Sequence, residues 1–184
     1  MQTKVIAIDL ARSGDADWKR LQKEFEAVKL GVLVNNAGMS HELPEKFGEA
    51  DLQRVRDIVN VNIVAVNELT RAALPSLLKN KAANQRGLIL NVGSASGLLP
   101  TPLLACYGAS KAYLSAFSSA LHREYASSGV DSDCAVAFFV VSNMSKRKKP
   151  TAMIPTPEAF VASSLAKVIH TMLLVCIYRS CYFF

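Results

Sequence analysis

Cysteine and histidine are scarce in this sequence, four of one and three of the other. Cys106, Cys134, Cys176 and Cys181 include no pair at CxxC spacing, and no histidine stands near enough in sequence to complete a metal site. The cysteines read as reduced thiols facing the cytosol, and His41, His122 and His170 as surface or loop residues; no metal is expected. Charge is also sparse: charged residues make up 20% of the chain against 51% hydrophobic, which excludes a disordered polyelectrolyte. No repeat or low-complexity tract is present. Long apolar runs are missing too. Met172 to Tyr178, like Cys134 to Val141, falls far short of the ~20 residues that cross a bilayer. Asp9 interrupts the N-terminal stretch and no small-residue cleavage site follows, so no signal peptide is expected.

What is there is a chain of 184 residues, enough for one domain with a sizeable core. The formal net charge is +6. A basic balance fits nucleic acid, an anionic membrane surface or a phosphorylated ligand. The basic residues are mostly scattered among acids, which argues against nucleic acid. Only Lys146-Arg147-Lys148-Lys149 forms a run, and isolated runs are most often solvated surface.

Periodicity gives the organisation. Val5-Ile6-Ala7-Ile8 is short, apolar and rich in β-branched residues, and reads as a buried strand ending at Asp9. Trp18, Leu21, Phe25 and Val28 predict a helix capped at Asp15. Val32-Leu33-Val34 reads as a second buried strand, stopping at Asn35-Asn36-Ala37-Gly38. From Asp51, an apolar stripe through Val55, Val59, Ile63 and Val66 to Leu77 predicts one long amphipathic helix, bent near Pro75. Leu88 to Val92 is a third strand, closed by Gly93-Ser94-Ala95-Ser96-Gly97. A helix from about Tyr107 to Ser127 ends at Gly129. Cys134 to Val141 is a fourth strand. Thr156-Pro157-Glu158 opens a further helix. Strands alternating with helices mean an α/β fold with a parallel sheet covered on both faces.

The chemistry concentrates in Tyr107-Gly108-Ala109-Ser110-Lys111. Residues four apart on a helix share a face. A phenol with a pKa of about 10 is a poor proton donor and acceptor at neutral pH, and a neighbouring ammonium lowers it. That pairing suits proton exchange with a carbonyl or alcohol oxygen. Ser94 stands thirteen residues upstream, at the carboxyl end of a strand, where ligands of open parallel sheets bind. Asn35-Asn36-Ala37-Gly38 ends the preceding strand at the same edge. Asn62 lies in the helix between, one helical step from the apolar stripe, where a polar residue needs a partner.

Asn-Asn-Ala-Gly, then Asn62, Ser94 and Tyr-x-x-x-Lys, in this order and spacing, resembles the short-chain dehydrogenase/reductase family over roughly Lys4 to Leu165. The resemblance implies a Rossmann-type doubly wound parallel sheet and an NAD(P) cofactor. It implies Tyr107 as general acid in reduction, and Lys111 lowering its pKa and holding the nicotinamide ribose. Ser94 would hydrogen-bond the substrate oxygen, and Asn62 would anchor a water linking Lys111 to solvent. Asn35, Ala37 and Gly38 would line the cofactor near its adenosine ribose and brace the sheet, with Asp9 beside the adenine. Family members often dimerise through the helices holding Asn62 and Tyr107.

A narrower resemblance rests on Gly87 to Ser94, Gly97 to Ala105, Asn143 to Lys146 with the basic residues after it, and Pro155 to Val161. These stretches are similar to very-long-chain 3-oxoacyl-CoA reductases and the related 17β-hydroxysteroid dehydrogenases. The resemblance implies NADPH, with NAD not excluded, a long-chain acyl-CoA or other lipid ketone as substrate, fatty acid elongation, and the cytosolic face of the endoplasmic reticulum membrane. It also gives Lys146 to Lys149 a second reading, as partners of CoA phosphates or anionic headgroups. The family's TGxxxGxG loop is not found here. The expected sheet is therefore partial, lacking the family's first two strands, with residues 1–167 as the domain and 168–184 as a divergent apolar tail. That tail reads either as noncoding read-through or as an apolar segment packing on the sheet or a bilayer surface. A chain without the glycine-rich loop can also be read as an inactive fragment that binds no cofactor.

Overall fold

The computed structural model describes residues 2–167, 174–177 and 180–182. Its core is a sheet of five strands: β1 (Val32–Asn35), β2 (Gly87–Ser94), β3 (Val130–Ala137), β4 (Leu174–Ile177) and β5 (Ser180–Tyr182), in that spatial order. β1 to β4 run parallel and β5 returns antiparallel. The helices are α1 (Asp15–Glu26), α2 (Leu52–Val59), α3 (Ala65–Leu78), α4 (Ala105–Tyr125) and α5 (Pro157–Leu165).

Alternation along the strands sorts the core into two faces. Leu33, Ile89 and Val130 face Ala73 and Leu77 of α3 and Leu121 of α4. Cys134 and Val136 continue that face against Val66 and Leu114. Leu77 and Ile89 are fully buried, worth about 1.5–3 kcal/mol each. On the opposite face Phe160 of α5 packs against Leu90 and Ala135. The expected α/β class, parallel sheet and helices on both faces are what the structure shows.

Several local expectations are corrected. Val5–Ile8 is not a strand: Val5 is 92% exposed, and Ile6 and Ile8 pack on Trp18 and Leu21 of α1 instead. An apolar run becomes a strand only where a neighbour completes its ladder, and none lies beside it among the described residues. Val32–Val34 is a strand but only half buried. Leu33 faces the core, while Val32 and Val34, on the face that carries Leu90, stay about half exposed. The fourth strand begins at Val130 and ends at Ala137, so it is shifted towards the N-terminus of the expected Cys134–Val141; its early polar residues hid it. The cap of α1 is Gly14, with Asp17 accepting from the Gly14 amide at 3.2 Å, and Asp15 is the first helical residue.

The long helix from Asp51 is interrupted. Asp51 caps it through the amides of Gln53 and Arg54, but a π turn at Asn60–Val64 separates α2 from α3. Val61 and Asn62 within this turn are buried, as is Ile58 just before it, while Leu52 at the start of α2 is exposed. Gly129, in the left-handed region at φ 89°, ends the 3-10 turn after α4 as expected. Thr156 caps α5 by accepting from the Ala159 amide at 3.3 Å, with Pro157 in its first turn. His41, expected on the surface or in a loop, lies in the loop after β1 and is buried beside Glu45. His170 lies outside the described residues, as do the side chains of the apolar tail, although its backbone contributes β4 and β5.

Candidate active site

Three parallel strands deliver their carboxyl ends, and the loops that follow them, to one edge of the sheet. β2 ends at Ser94, which is 8% exposed, and a 3-10 turn at Ala95–Gly97 leads away from it. Ser94 Oγ accepts from the Ser96 amide at 3.2 Å, which leaves the hydroxyl proton to be donated. Tyr107 lies in the first turn of α4 and Lys111 one turn on, so both face β2. The Lys111 ammonium donates to the Val92 carbonyl at 2.8 Å and sits 5.8 Å from the centre of the Tyr107 ring.

Burial sets the protonation behaviour here. It pushes the Tyr107 hydroxyl above its ordinary range, and a hydrogen bond with Ser94 pulls the other way. Burial lowers Lys111 to about 8, with Cys134 acting in the opposite direction. The expected lowering of Tyr107 by Lys111 is therefore not seen: the ammonium lies over the ring and is spent on a backbone carbonyl.

Asn62 sits in the π turn and is buried. Single π turns inside helices are frequent at functional sites. Its amide oxygen accepts from the Met39 amide at 2.8 Å, and its nitrogen donates to the Met39 carbonyl at 2.9 Å and to Ser110 Oγ at 2.9 Å. Ser110 in turn donates to the Tyr107 carbonyl at 2.7 Å. Asn62 thus couples the loop after β1 to the helix that carries Tyr107.

Gly38 lies in that loop. A Cβ there would come within 3.3 Å of Lys111 Nζ and 3.6 Å of Asn62 Oδ1. Ala37 is exposed beside it. Asn35 is placed differently: its side chain is buried, donating to Asn91 Oδ1 at 2.8 Å and to Thr70 Oγ1 at 3.2 Å. Asn91 continues to Ser118 Oγ of α4 at 2.7 Å. Asn35 is a sheet brace across β1, β2 and α4. Asp9 is exposed in a turn, accepting from the Ala11 amide at 2.9 Å, and no hydrogen bond links it to the Ser94–Tyr107–Lys111 group.

Two participants escaped sequence reading. Ser110 lies inside Tyr-x-x-x-Lys, a motif whose signal resides in its two ends. Gly97 lies three residues after Ser94; a Cβ on it would meet Ala112 N and Lys111 C at 2.5 Å. Its lack of a side chain lets the turn after Ser94 press onto α4.

Comparison with known proteins agrees with this geometry. The family model described as short chain dehydrogenase matches residues 2–152. The very-long-chain 3-oxoacyl-CoA reductase of Aspergillus terreus is 40% identical over 168 residues, covering 91% of this chain and 46% of the relative. That of Coprinopsis cinerea is 42% identical, with 91% and 48% covered. This chain spans about half the length of these curated relatives. Among solved structures, the 3-ketoacyl-(acyl-carrier-protein) reductase from Brucella melitensis complexed with NADH is 26% identical. It superimposes with a TM-score of 0.75 over 91% of this chain and 74% of its own. With Ser94, Tyr107, Lys111 and Asn62 gathered at the carboxyl edge of a parallel sheet, and the family match running through all four, the chain belongs to the short-chain dehydrogenase family.

Proposed function

We propose that this chain is the catalytic part of an NAD(P)-dependent oxidoreductase that reduces a ketone, the 3-oxo group of a long-chain acyl-CoA in fatty acid elongation. The observation that carries the reading is the convergence of Ser94, Tyr107 and Lys111 beside Gly38, which packs close to the Lys111 ammonium. The names of the relatives at about 40% identity point to the same substrate, and their branch favours NADPH, with NADH as the alternative. A 17β-hydroxysteroid dehydrogenase-like activity is the nearest variant of this chemistry. In this reading residues 1–167 form the catalytic domain, 168–184 are appended to it, and the endoplasmic reticulum membrane is the place of action. A homodimer through the helices of Asn62 and Tyr107 belongs to the same reading.

The residues fit the nicotinamide end of the cofactor. Lys111 and Tyr107 would hold its ribose, and the absence of a side chain at Gly38 leaves close approach to Lys111 free. Ala37 and Asp9 would lie towards the adenosine, and Asn35 supports that edge from within. A nicotinamide held there would supply the hydride for the carbonyl carbon. Ser94 donates a hydrogen bond to the carbonyl oxygen and fixes it. Tyr107 gives its hydroxyl proton to that oxygen as the carbon becomes tetrahedral, so a ketone, a hydride and a proton yield an alcohol. Lys111, positively charged below about pH 8, would have to turn from the Val92 carbonyl towards the Tyr107 oxygen to stabilise the phenolate left behind. Asn62 holds the loop and α4 in register, and a water beside it would return the proton through Lys111.

A second reading, a non-catalytic chain that keeps these residues as ancestry, is favoured by the half-exposed Val32 and Val34 on β1. Titration with NADPH separates the two. The reductase reading expects saturable quenching of NADPH fluorescence, thermal stabilisation by the cofactor, and its consumption on adding a long-chain 3-oxoacyl-CoA. Absence of any cofactor binding would overturn it.

A further inference from the structure

Positive φ outside glycine marks either a tolerant residue or a strained one. Asn84, Leu103 and Lys146 adopt it, at 54°, 68° and 54°. Asn84 ends a 3-10 turn, a place and a residue type suited to this conformation. Lys146 is tied by its own ammonium to the Glu42 carbonyl at 3.2 Å. Leu103 has neither feature. Its side chain carries no hydrogen-bonding atom and is 45% exposed, so packing does not offset the strain.

The strain sits in a defined turn. The Leu104 amide donates to the Thr101 carbonyl at 3.3 Å, closing a turn over Thr101-Pro102-Leu103-Leu104. Proline fixes φ at about −65° in the second position, so a positive φ in the third makes this a type II turn, which favours glycine or asparagine there. The turn is held from two sides. Thr101 Oγ1 donates to the Ser96 carbonyl at 3.1 Å, on the 3-10 turn after Ser94. The Leu103 carbonyl accepts from the Glu45 amide at 3.1 Å, in the loop after β1. That loop is anchored in turn by the Met39 amide on Asn62 and by Arg54 Nε donating to the Ser40 carbonyl at 2.8 Å. α4 begins two residues after Leu103, with Tyr107 in its first turn.

None of these bonds uses the Leu103 side chain. Glycine at this position would make them equally and without strain. What glycine would lack is an apolar group at the rim between the Ser94 turn and the Tyr107 helix. Leu99, 73% exposed in the same loop, and Leu43, 64% exposed two residues before Glu45, extend that rim. Backbone strain persists at ligand clamps, where it holds a contact ready. A ligand whose reacting carbonyl reaches Ser94 and Tyr107 would lay the rest of its length along this rim, and an apolar chain gains most from doing so.

We propose that Leu103 is a specificity-determining residue, held in its strained turn to contact the acyl chain of a long-chain acyl thioester. The proposal rests on the acyl-CoA reading of the substrate and does not require turnover.

Calorimetric titration of the full chain with palmitoyl-CoA, below its micellar concentration, and with acetyl-CoA tests it. Leu103→Gly should weaken palmitoyl-CoA binding at least about tenfold and acetyl-CoA binding less than about twofold. Its thermal midpoint should stay level or rise by up to about 4 °C, because the strain is relieved. Leu103→Met keeps an apolar side chain and should bind palmitoyl-CoA within about threefold of the unaltered protein. A leucine that serves only the fold would give the reverse, a lower midpoint with unchanged affinity, and would overturn the proposal. No palmitoyl-CoA binding by the unaltered chain, an equal loss for acetyl-CoA, or a dimer that Leu103→Gly abolishes would overturn it as well. NADPH consumption with a long-chain 3-oxoacyl-CoA separates the two readings. Leu103-dependent binding of palmitoyl-CoA without consumption would overturn the reductase reading alone. Consumption with kcat/KM unchanged in Leu103→Gly would overturn this inference alone.

Discussion

The interior of the described sheet and its β1 edge differ in how completely their residues are partnered. At β2, β3 and α4 every strand has two neighbours, Ile89, Val130 and Val136 are fully buried, and the Asn35–Asn91–Ser118 chain and the Asn62–Ser110 bond tie sheet to helix. At the other side β1 pairs only with β2. Beyond it Gln2–Asp9 runs without regular structure along α1, held by Arg20 donating to the Ala7 carbonyl at 3.1 Å. The lesson is that apolar composition does not make a strand: Val5–Ile8 has the residues, and what it lacks is an adjacent ladder. The candidate catalytic group belongs to the fully partnered side.

The sharpest way to break this contrast is at Gly97, where an added Cβ would collide with the backbone of Lys111 and Ala112. Gly97→Ala should destabilise the fold by more than about 3 kcal/mol in urea unfolding, because backbone cannot swing aside as a side chain can. A loss under about 1 kcal/mol would mean that the turn is not pressed on α4.

Asn35→Ala removes the donor between Thr70 and Asn91 and leaves the buried Asn91 Oδ1 without its partner. A loss of about 1–3 kcal/mol is expected by the same measurement. Asn91 and Thr70 would have to find new partners for the loss to be negligible.

Asp133 adds a pH dependence on the partnered side. It is buried on β3, and burial, helped by the nearby Asp131 charge, raises it to about 7. A carboxyl raised on folding binds more protons folded than unfolded between about 4 and 7, so its contribution to stability falls as pH rises through that window. Asp133→Asn should therefore stabilise the protein at pH 8, by about 1–2 kcal/mol, and have little effect at acid pH. Denaturant midpoints at the two pH values check it; a uniform effect would contradict the burial argument.

The smallest effect belongs to the unpartnered side. Val5→Ser should cost under about 0.5 kcal/mol, since Val5 is almost fully exposed. A paired strand there would make the same change far more costly.

Much of the site was legible because its residues recur at fixed local spacings: Tyr107 and Lys111 share one helical face, and Ser94 closes an apolar strand. The strand Leu88–Val92 and the start of α5 were legible for the same reason, having an apolar run and a cap. What was not legible depended on partners distant in sequence. The spacing of Tyr107 and Lys111 gives no sign that the Lys111 ammonium donates to the Val92 carbonyl. The π turn at Asn60–Val64 has no signature in the apolar stripe, yet it brings Asn62 inward. After Val130, β3 continues with Asp131, Ser132 and Asp133, whose polarity masks a strand that is buried between its neighbours.

The central claim is that Tyr107 delivers the proton to the substrate oxygen, and the most direct measurement is the turnover of Tyr107→Phe with NADPH and a long-chain 3-oxoacyl-CoA. Removing the one hydroxyl should lower kcat by at least about a hundredfold while NADPH affinity changes little. Turnover retained within a few fold of the unaltered protein would contradict the account.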